Sequence, residues 1–500
     1  MGKNWNKIRI IHFNDVYNVE CIRKTDPVGG ASRFVCSVTD KMKKGNFLVL
    51  FSGDCLSPSS ISRKTKGLQM VDVLNICKVN AAVLGNHEFD FGLKHLTNIV
   101  TKFDFPWLIS NVTLYNGKNL ENIQKYTIIK KNDCNIGIIG LVEKEWIETL
   151  STLNENDVIY KDYTIIGNQL SKWLKFEKKV DIVIALTHMR WPNDENLSKS
   201  CQHIDIILGG HDHVFETRTC KGNETYSKPR LIIKSGTDFR NYSIIKMYNT
   251  TTTINKSSLS TNGYKIKIKK KDINKCDKRC DKMLKIVNNY LYKNGQNIQK
   301  IIGTLPYDLD TRFAYIRTSE TNCGNLFTDM IRFYLKTDIA ILNSGVFRSD
   351  QIHQNYLTLG DLYSIFPIPL DKVYTIKMSG FLLLECLKNS ISKYPQKSGR
   401  FLQVSGLQFQ FSPDTLNISN IVDFNNNKLN LNKMYSVAIR EYIHQGNDGY
   451  GMIIKCKILK KEKENEIYLS DIIQYFFENS QLLQKLIKQT PKNPRIICCQ

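Results

Sequence analysis

The sequence predicts an α/β fold in two parts, and three observations carry that prediction. Strand-like apolar runs recur through the first 213 residues, stretches of helical spacing separate them, and a second series of strand and helix signals follows from about residue 298. Ile8 to Phe13, Phe47 to Phe51, Ala81 to Leu84, Ile182 to Leu186 and Ile204 to Leu208 are dominated by apolar and β-branched side chains, as in strands buried on both faces. Between them, Gly29 to Lys44 places Phe34, Val35 and Val38 at helical spacing, and Gly67 to Cys77 does so with Met70, Val71 and Leu74. That alternation is the pattern of β-α-β units.

The remaining elements follow in order. Ile136 to Val142 and Leu231 to Ile233 supply further strands, and the Thr, Ser and Asn-rich stretch Asn249 to Asn262 reads as a loop or hairpin tip. Lys265 to Lys271 alternates Lys and Ile like an exposed or edge strand, which lysine protects from unwanted pairing. Lys278 to Lys293 carries Met283, Ile286, Val287, Tyr290 and Leu291 on one helical face. The second domain begins at Ile298, with the first spanning 1–275 and a connecting helix over 276–297. There, a helix with Leu326, Met330 and Phe333 on one face precedes a strand from Asp338 to Leu342.

Composition agrees with a folded globular protein. Hydrophobic residues make up 42% and charged residues 23% of the 500, which lets each half bury a core and excludes a disordered chain. The net charge of +23 suits a solvated Lys-rich surface, or anionic partners such as phosphate esters, nucleic acid or membrane surfaces. The lysines are scattered rather than gathered in one stripe, there is no specific nucleic-acid motif, and no run of about 18 apolar residues marks a membrane span. The polar start Met1 to Lys7 lacks the apolar core of a signal peptide, and the 14 cysteines show no disulfide-framework spacing. A cytoplasmic protein with reduced thiols is expected, Cys276 and Cys280 being ordinary thiols on a helix.

Each apolar run of the first half ends in a polar island: Asn14-Asp15, Gly53-Asp54, Gly85-Asn-His-Glu88, Thr187-His188 and Gly210-His-Asp-His213. Open sheets place ligands at the C-terminal ends of strands. Carboxylate, carboxamide and imidazole donors gathered there suit divalent cations of borderline softness. This order of islands resembles the calcineurin-like metallophosphoesterase signature, and G-N-H-E-F-D over 85–90 resembles the 5'-nucleotidase family in particular. The resemblance implies an N-terminal metallophosphoesterase β-sandwich flanked by helices, a connecting helix and a C-terminal α/β substrate-binding domain. It implies two divalent metal ions (Mn, Zn, Co or Mg), with Asp54 bridging, Asn86, His188 and His211 completing one site, and Asp15 and His213 the other. His87 and Asp90 match the family's catalytic dyad, and Glu88 reads as structural.

One position departs from the pattern. The family's first island reads D-x-H, whereas here it is Asp15-Val16-Tyr17. A phenol ligates well only when ionised, and its reference pKa is near 10, so Tyr17 either coordinates as phenolate or leaves the place to water. His213, where many 5'-nucleotidases have a carboxamide, offers a compensating donor.

In the second half Asn343-Ser-Gly-Val-Phe-Arg348 and Gly446-Asn-Asp-Gly-Tyr450 resemble substrate-contacting segments of the 5'-nucleotidase C-terminal domain. By that resemblance Arg317, Asn343 and Arg348 bind substrate oxygens, Tyr442 stacks on the base and Asp448 accepts from ribose hydroxyls. The second aromatic of the family's base sandwich is replaced, Pro367-Ile368 standing where Pro-Phe is expected. The expected activity is hydrolysis of a small phosphorylated metabolite, a nucleoside 5'-monophosphate foremost. A sugar-phosphate phosphatase similar to mannosylglucosyl-3-phosphoglycerate phosphatase, a phosphodiesterase or nuclease, and a degenerate binding protein stand as alternatives, and no oligomeric state is implied.

Overall fold

The computed structural model describes residues 5–21, 25–59, 61–147, 157–220, 229–249, 260–261, 264–295, 300–349, 351–366, 371–459, 466–489 and 493–499. The chain forms two compact units, Met1–Lys293 and Asn294–Gln500. The replaced pair Pro367-Ile368, and most of the polar stretch from Asn249 to Asn262, lie outside the described residues.

In the first unit the described strands form two main sheets. One runs in the order Ser260–Thr261, Tyr264–Asp272, Asn241–Asn249, Lys7–Phe13, Phe47–Phe51, Ala81–Val83, Trp107–Leu108, its last four strands parallel. The other runs Phe215–Cys220, Arg230–Ser235, Ile206–Gly209, Ile182–His188, Cys134–Val142, Tyr126–Lys131, its inner four strands parallel and its edges antiparallel. The inner strands are buried almost throughout because both faces are covered, which is why they read as unbroken apolar runs. The two sheets face each other, and buried His12 joins them with hydrogen bonds to Ser52 Oγ at 2.9 Å and Ser235 Oγ at 2.7 Å.

The helices Ala31–Lys43 and Leu68–Ile76 fall where helical spacing placed them. The first buries Phe34, Val35 and Val38; the second buries Met70, Val73 and Leu74, with Val73 in the role assigned to Val71. The Lys-rich strand Tyr264–Asp272 alternates as expected, Tyr264 and Ile266 buried and Lys267 and Lys269 exposed.

One expectation is corrected. Cys276 and Cys280 precede the helix Asp281–Gly295 rather than lying on it. Asp277 delays the start of the helix: its carboxylate accepts from the Asn274 N–H at 2.7 Å and pairs with Lys271 at 3.0 Å, closing a turn. The helix then packs back on the first unit through Met283 and Val287, and the Tyr290 hydroxyl bonds to Asp72 at 3.1 Å.

The second unit centres on a four-stranded sheet in the order Val373–Ser379, Met434–Arg440, Ile339–Asn343, Leu402–Ser405. On one side lies a core of the helices Asn322–Leu335 and Leu469–Glu478, with Leu326, Phe327, Met330, Ile473 and Phe476 buried. On the other lies the helix Gly380–Ile391, with Leu383, Cys386 and Leu387 against Ile341 and Val437. Ile339–Asn343 pairs parallel with Met434–Arg440, so Asn343 and Arg440 close neighbouring strands at the same sheet edge. The strand Ile496–Cys498 is tied in by buried Arg495, whose guanidinium donates to Asp329 at 2.6 Å and to the Val404 carbonyl at 2.8 Å. Among the described residues no helix is long and apolar enough to cross a membrane.

Candidate functional site

All five polar islands of the first unit meet where the parallel strands of both sheets end. Asp15 follows Lys7–Phe13, Asp54 follows Phe47–Phe51, the turn Asn86–Glu88 follows Ala81–Val83, His188 ends Ile182–His188, and His211 and His213 follow Ile206–Gly209. The backbone there is held in an uncommon conformation: Asp15, Asp54, His211 and His213 have φ of 53°, 66°, 77° and 57°. Left-handed backbone at such residues concentrates in functional sites, where the surroundings enforce it. Close approach also explains Gly85, since a Cβ there would lie 2.1 Å from Asp54 Oδ1.

The side chains converge. His188 Nε2 lies 3.1 Å from Asp54 Oδ2, His211 Nδ1 lies 3.2 Å from His188 Nε2, and His213 Nε2 lies 3.1 Å from Asp15 Oδ1. Donor atoms of Asp54, His188 and His211 all fall within 4.8 Å of one another. Tyr17, only 5% exposed, points its hydroxyl into the same group, 3.1 Å from both Asp15 Oδ1 and Asp54 Oδ2 and 2.8 Å from His213 Nε2. His87 N–H donates to Asp54 Oδ1 at 2.9 Å, and His87 Nδ1 pairs with Asp90 Oδ2 at 2.7 Å. Electrostatically the cluster is a tight ion pair. Burial pushes the Asp54 carboxyl up, but His188 and His87 outweigh it and hold Asp54 well below the usual range. Burial likewise opposes charge on His188, yet Asp54 raises it to about 10.

A polar frame surrounds the cluster. Fully buried Glu88 accepts from the N–H groups of Asp54, Cys55 and Gly85 at 2.8, 2.7 and 2.6 Å, which makes it the structural residue expected. Fully buried Lys234 donates to the carbonyls of Met189 at 2.6 Å and Gly210 at 2.8 Å, and pairs with Asp194 at 2.9 Å and with Asp212. Asp194 also accepts from Thr187 Oγ1 at 2.6 Å. One cation thus fastens both histidine-bearing loops.

In the second unit the structure joins three of the five expected substrate residues. Asn343 Nδ2 donates to Asp448 Oδ2 at 2.7 Å and the Tyr442 hydroxyl donates to Asp448 Oδ1 at 3.2 Å. Arg348 lies close enough for its charge to act on the Tyr442 phenol. Arg317 follows the short helix Phe313–Ile316 with its guanidinium 4.1 Å from the Phe313 ring centre, and the preceding Ile316 carbonyl accepts from Ser344 Oγ at 2.5 Å.

Comparison with known proteins agrees with this geometry. Residues 8–215 match the calcineurin-like phosphoesterase family, and residues 301–455 match the 5'-nucleotidase C-terminal domain. The chain belongs to the 5'-nucleotidase family of calcineurin-like phosphoesterases. It is 25% identical to a 5'-nucleotidase of Diplobatis ommata, covering 89% of this chain and 83% of that one. It is 23% identical to the Homo sapiens 5'-nucleotidase, covering 92% and 86%. In fold it is similar to a 5'-nucleotidase precursor from Thermus thermophilus, with a TM-score of 0.85 at 20% identity over 98% of this chain and 99% of the other.

Calcineurin-like phosphoesterases use divalent metals, and the residues of this 5'-nucleotidase-family chain fit such ions. Asn86 Oδ1 is buried without a hydrogen-bond partner, although buried carboxamide oxygens are otherwise satisfied. It belongs to the turn whose His87 N–H bonds to Asp54 Oδ1. A cation would give that oxygen the partner it lacks. Lys234 and Arg440 were missed in the sequence, although each leaves a signal there: a charged residue at the end of an apolar strand, in Leu231-Ile-Ile-Lys234 and in Val437-Ala-Ile-Arg440.

Proposed function

We propose that this chain hydrolyses phosphate monoesters, with nucleoside 5'-monophosphates as leading substrates, using two divalent ions. Asp54 would bridge them; Asn86, His188 and His211 would complete one site and Asp15 and His213 the other. Ions so held supply positive charge to a phosphoryl group and bring the pKa of a water toward neutrality. His87, oriented by Asp90, would present Nε2 to a phosphoryl oxygen and stabilise charge as the bond to the leaving alcohol breaks. Asn343, Arg348, Tyr442 and Asp448 would bind the alcohol part of the substrate, and Arg317 an anionic or hydroxyl oxygen.

The observation that carries this reading is the cluster of Asp54, His188 and His211, together with the buried, orphaned Asn86 carboxamide oxygen and the His87–Asp90 pair at 2.7 Å. The dispersed cysteines, without the spacing of a disulfide framework, support placing the enzyme in a reducing, cytoplasmic compartment. A phosphate-release screen over nucleoside 5'-monophosphates and sugar phosphates, with Mn, Zn, Co and Mg in turn, tests the activity. Faster release from sugar phosphates would move the substrate to that class, and no release from any ester with any metal would overturn the reading.

Two variants test the roles. His87→Ala is expected to lower turnover by about 10²–10⁴-fold while calorimetric titration still finds the metal complement of the wild type. Metal loss equal to that of an Asp54 variant would show that His87 is misassigned. Tyr17→His is expected to tighten metal binding on the Asp15–His213 side, because neutral imidazole offers a lone pair near pH 7 whereas a phenol must first lose its proton. Unchanged or weaker affinity in the same titration would identify the Tyr17 phenol as an adapted ligand.

A further inference from the structure

Building on the reading that Asn343 and Asp448 bind the substrate alcohol, we propose that Arg440 is a positioning residue that sets the direction of the Asn343 amide and so presents Asp448 to a vicinal diol. Arg440 is 2% exposed, and its Nε donates to both oxygens of buried Asp371 at 2.9 and 2.7 Å. Its Nη1 donates to Asn343 Oδ1 at 2.6 Å. A carboxamide can turn either its oxygen or its NH2 toward a neighbour, but a guanidinium only donates. The Asn343 oxygen must therefore face Arg440, which leaves Nδ2 to donate to Asp448 Oδ2 at 2.7 Å. Asp448 is pinned from other sides as well: Oδ1 accepts from the Tyr442 hydroxyl at 3.2 Å, its backbone carbonyl accepts from Asn389 Nδ2 at 3.0 Å, and its φ is 54°.

The result is an acceptor-only carboxylate fixed in direction, with lone pairs remaining after the bonds to Asn343 and Tyr442. Two adjacent hydroxyls supply the donors such a group lacks. A site built to accept from substrate hydroxyls rejects an analogue without them, because its buried polar atoms are then left unpaired. If the Asn343 amide turned over, its oxygen would face the Asp448 carboxylate, and both groups would lose a partner. Lysine at 440 would keep a cation beside Asp371 but lacks the planar fork that serves Asp371 and Asn343 together.

The test measures kcat/KM for adenosine 5'-monophosphate and for its 2',3'-dideoxy analogue, in the full chain with metal, and takes the ratio as diol discrimination. Wild type is expected to discriminate by at least about tenfold. Arg440→Lys is expected to reduce that ratio about tenfold, the weight of one hydrogen bond to a charged group, through KM for the diol substrate rather than kcat. Thermal unfolding of each variant reports whether it folds, and the neutral combination of Arg440→Gln with Asp371→Asn serves if a charge left by Arg440→Lys prevents folding. A folded variant with wild-type discrimination overturns the role of Arg440. A wild type that does not discriminate overturns instead the reading of Asp448 as a diol-binding group, and this proposal with it.

Discussion

Asp54→Ala is expected to abolish metal binding and phosphate release together. Its carboxylate occupies the centre of the cluster, with Oδ2 3.1 Å from His188 Nε2 and from the Tyr17 hydroxyl, and Oδ1 accepting from the His87 N–H. No neighbour can replace a group shared among so many partners. The loss should exceed the roughly 10²–10³-fold that follows removal of one transition-state hydrogen-bond donor, because the variant removes a ligand rather than a single contact. The fold should survive, since Glu88 still holds the backbone N–H groups of residue 54, Cys55 and Gly85. Calorimetric titration with Mn beside a phosphate-release assay checks it, and an Asp54→Ala protein with full metal stoichiometry would sink the bridging assignment.

The second large effect is on stability. Lys234→Met should destabilise the first unit by about 3–5 kcal/mol, the range for breaking a buried charge pair by removing one partner. Burial alone would pull the Lys234 ammonium down, but Asp194 and Asp212 hold it above its ordinary value. Asp194 would be left buried with only Thr187 beside it, and burial already pushes its carboxyl up to about 6. Because Lys234 also holds the carbonyls of Met189 and Gly210, the loops bearing His188 and His211 should loosen, and metal affinity should fall with stability. Urea unfolding and metal titration of the same variant read both. A lower urea midpoint with unaltered metal affinity would show that Lys234 supports the core without ordering the ligand loops.

The strands and main helices were legible because burial on both faces leaves an unbroken apolar signal and burial on one face a helical period. Where a polar side chain captures the backbone, that signal is overridden: the Asp277 turn delays the helix to Asp281, although the apolar spacing beyond it is helical. The candidate ligands were legible for another reason. Asp15, Asp54, His188, His211 and His213 each follow an apolar strand, and parallel strands of two facing sheets bring their C-terminal ends to one edge.

By itself, then, the sequence determined the α/β class, the strand ends that carry the polar islands, and the donor types gathered there, all of which depend on neighbours in the chain. Tertiary structure alone decided what those donors touch. Tyr17 could be read as a ligand or as a lost one, and only packing shows its hydroxyl shared among Asp15, Asp54 and His213. Lys234 reaches Asp194, 40 positions away, and Arg440 reaches Asn343, 97 positions away. Hydrogen bonds and ion pairs act over a few ångströms of space, so partners this remote in sequence leave no local pattern until folding brings them together.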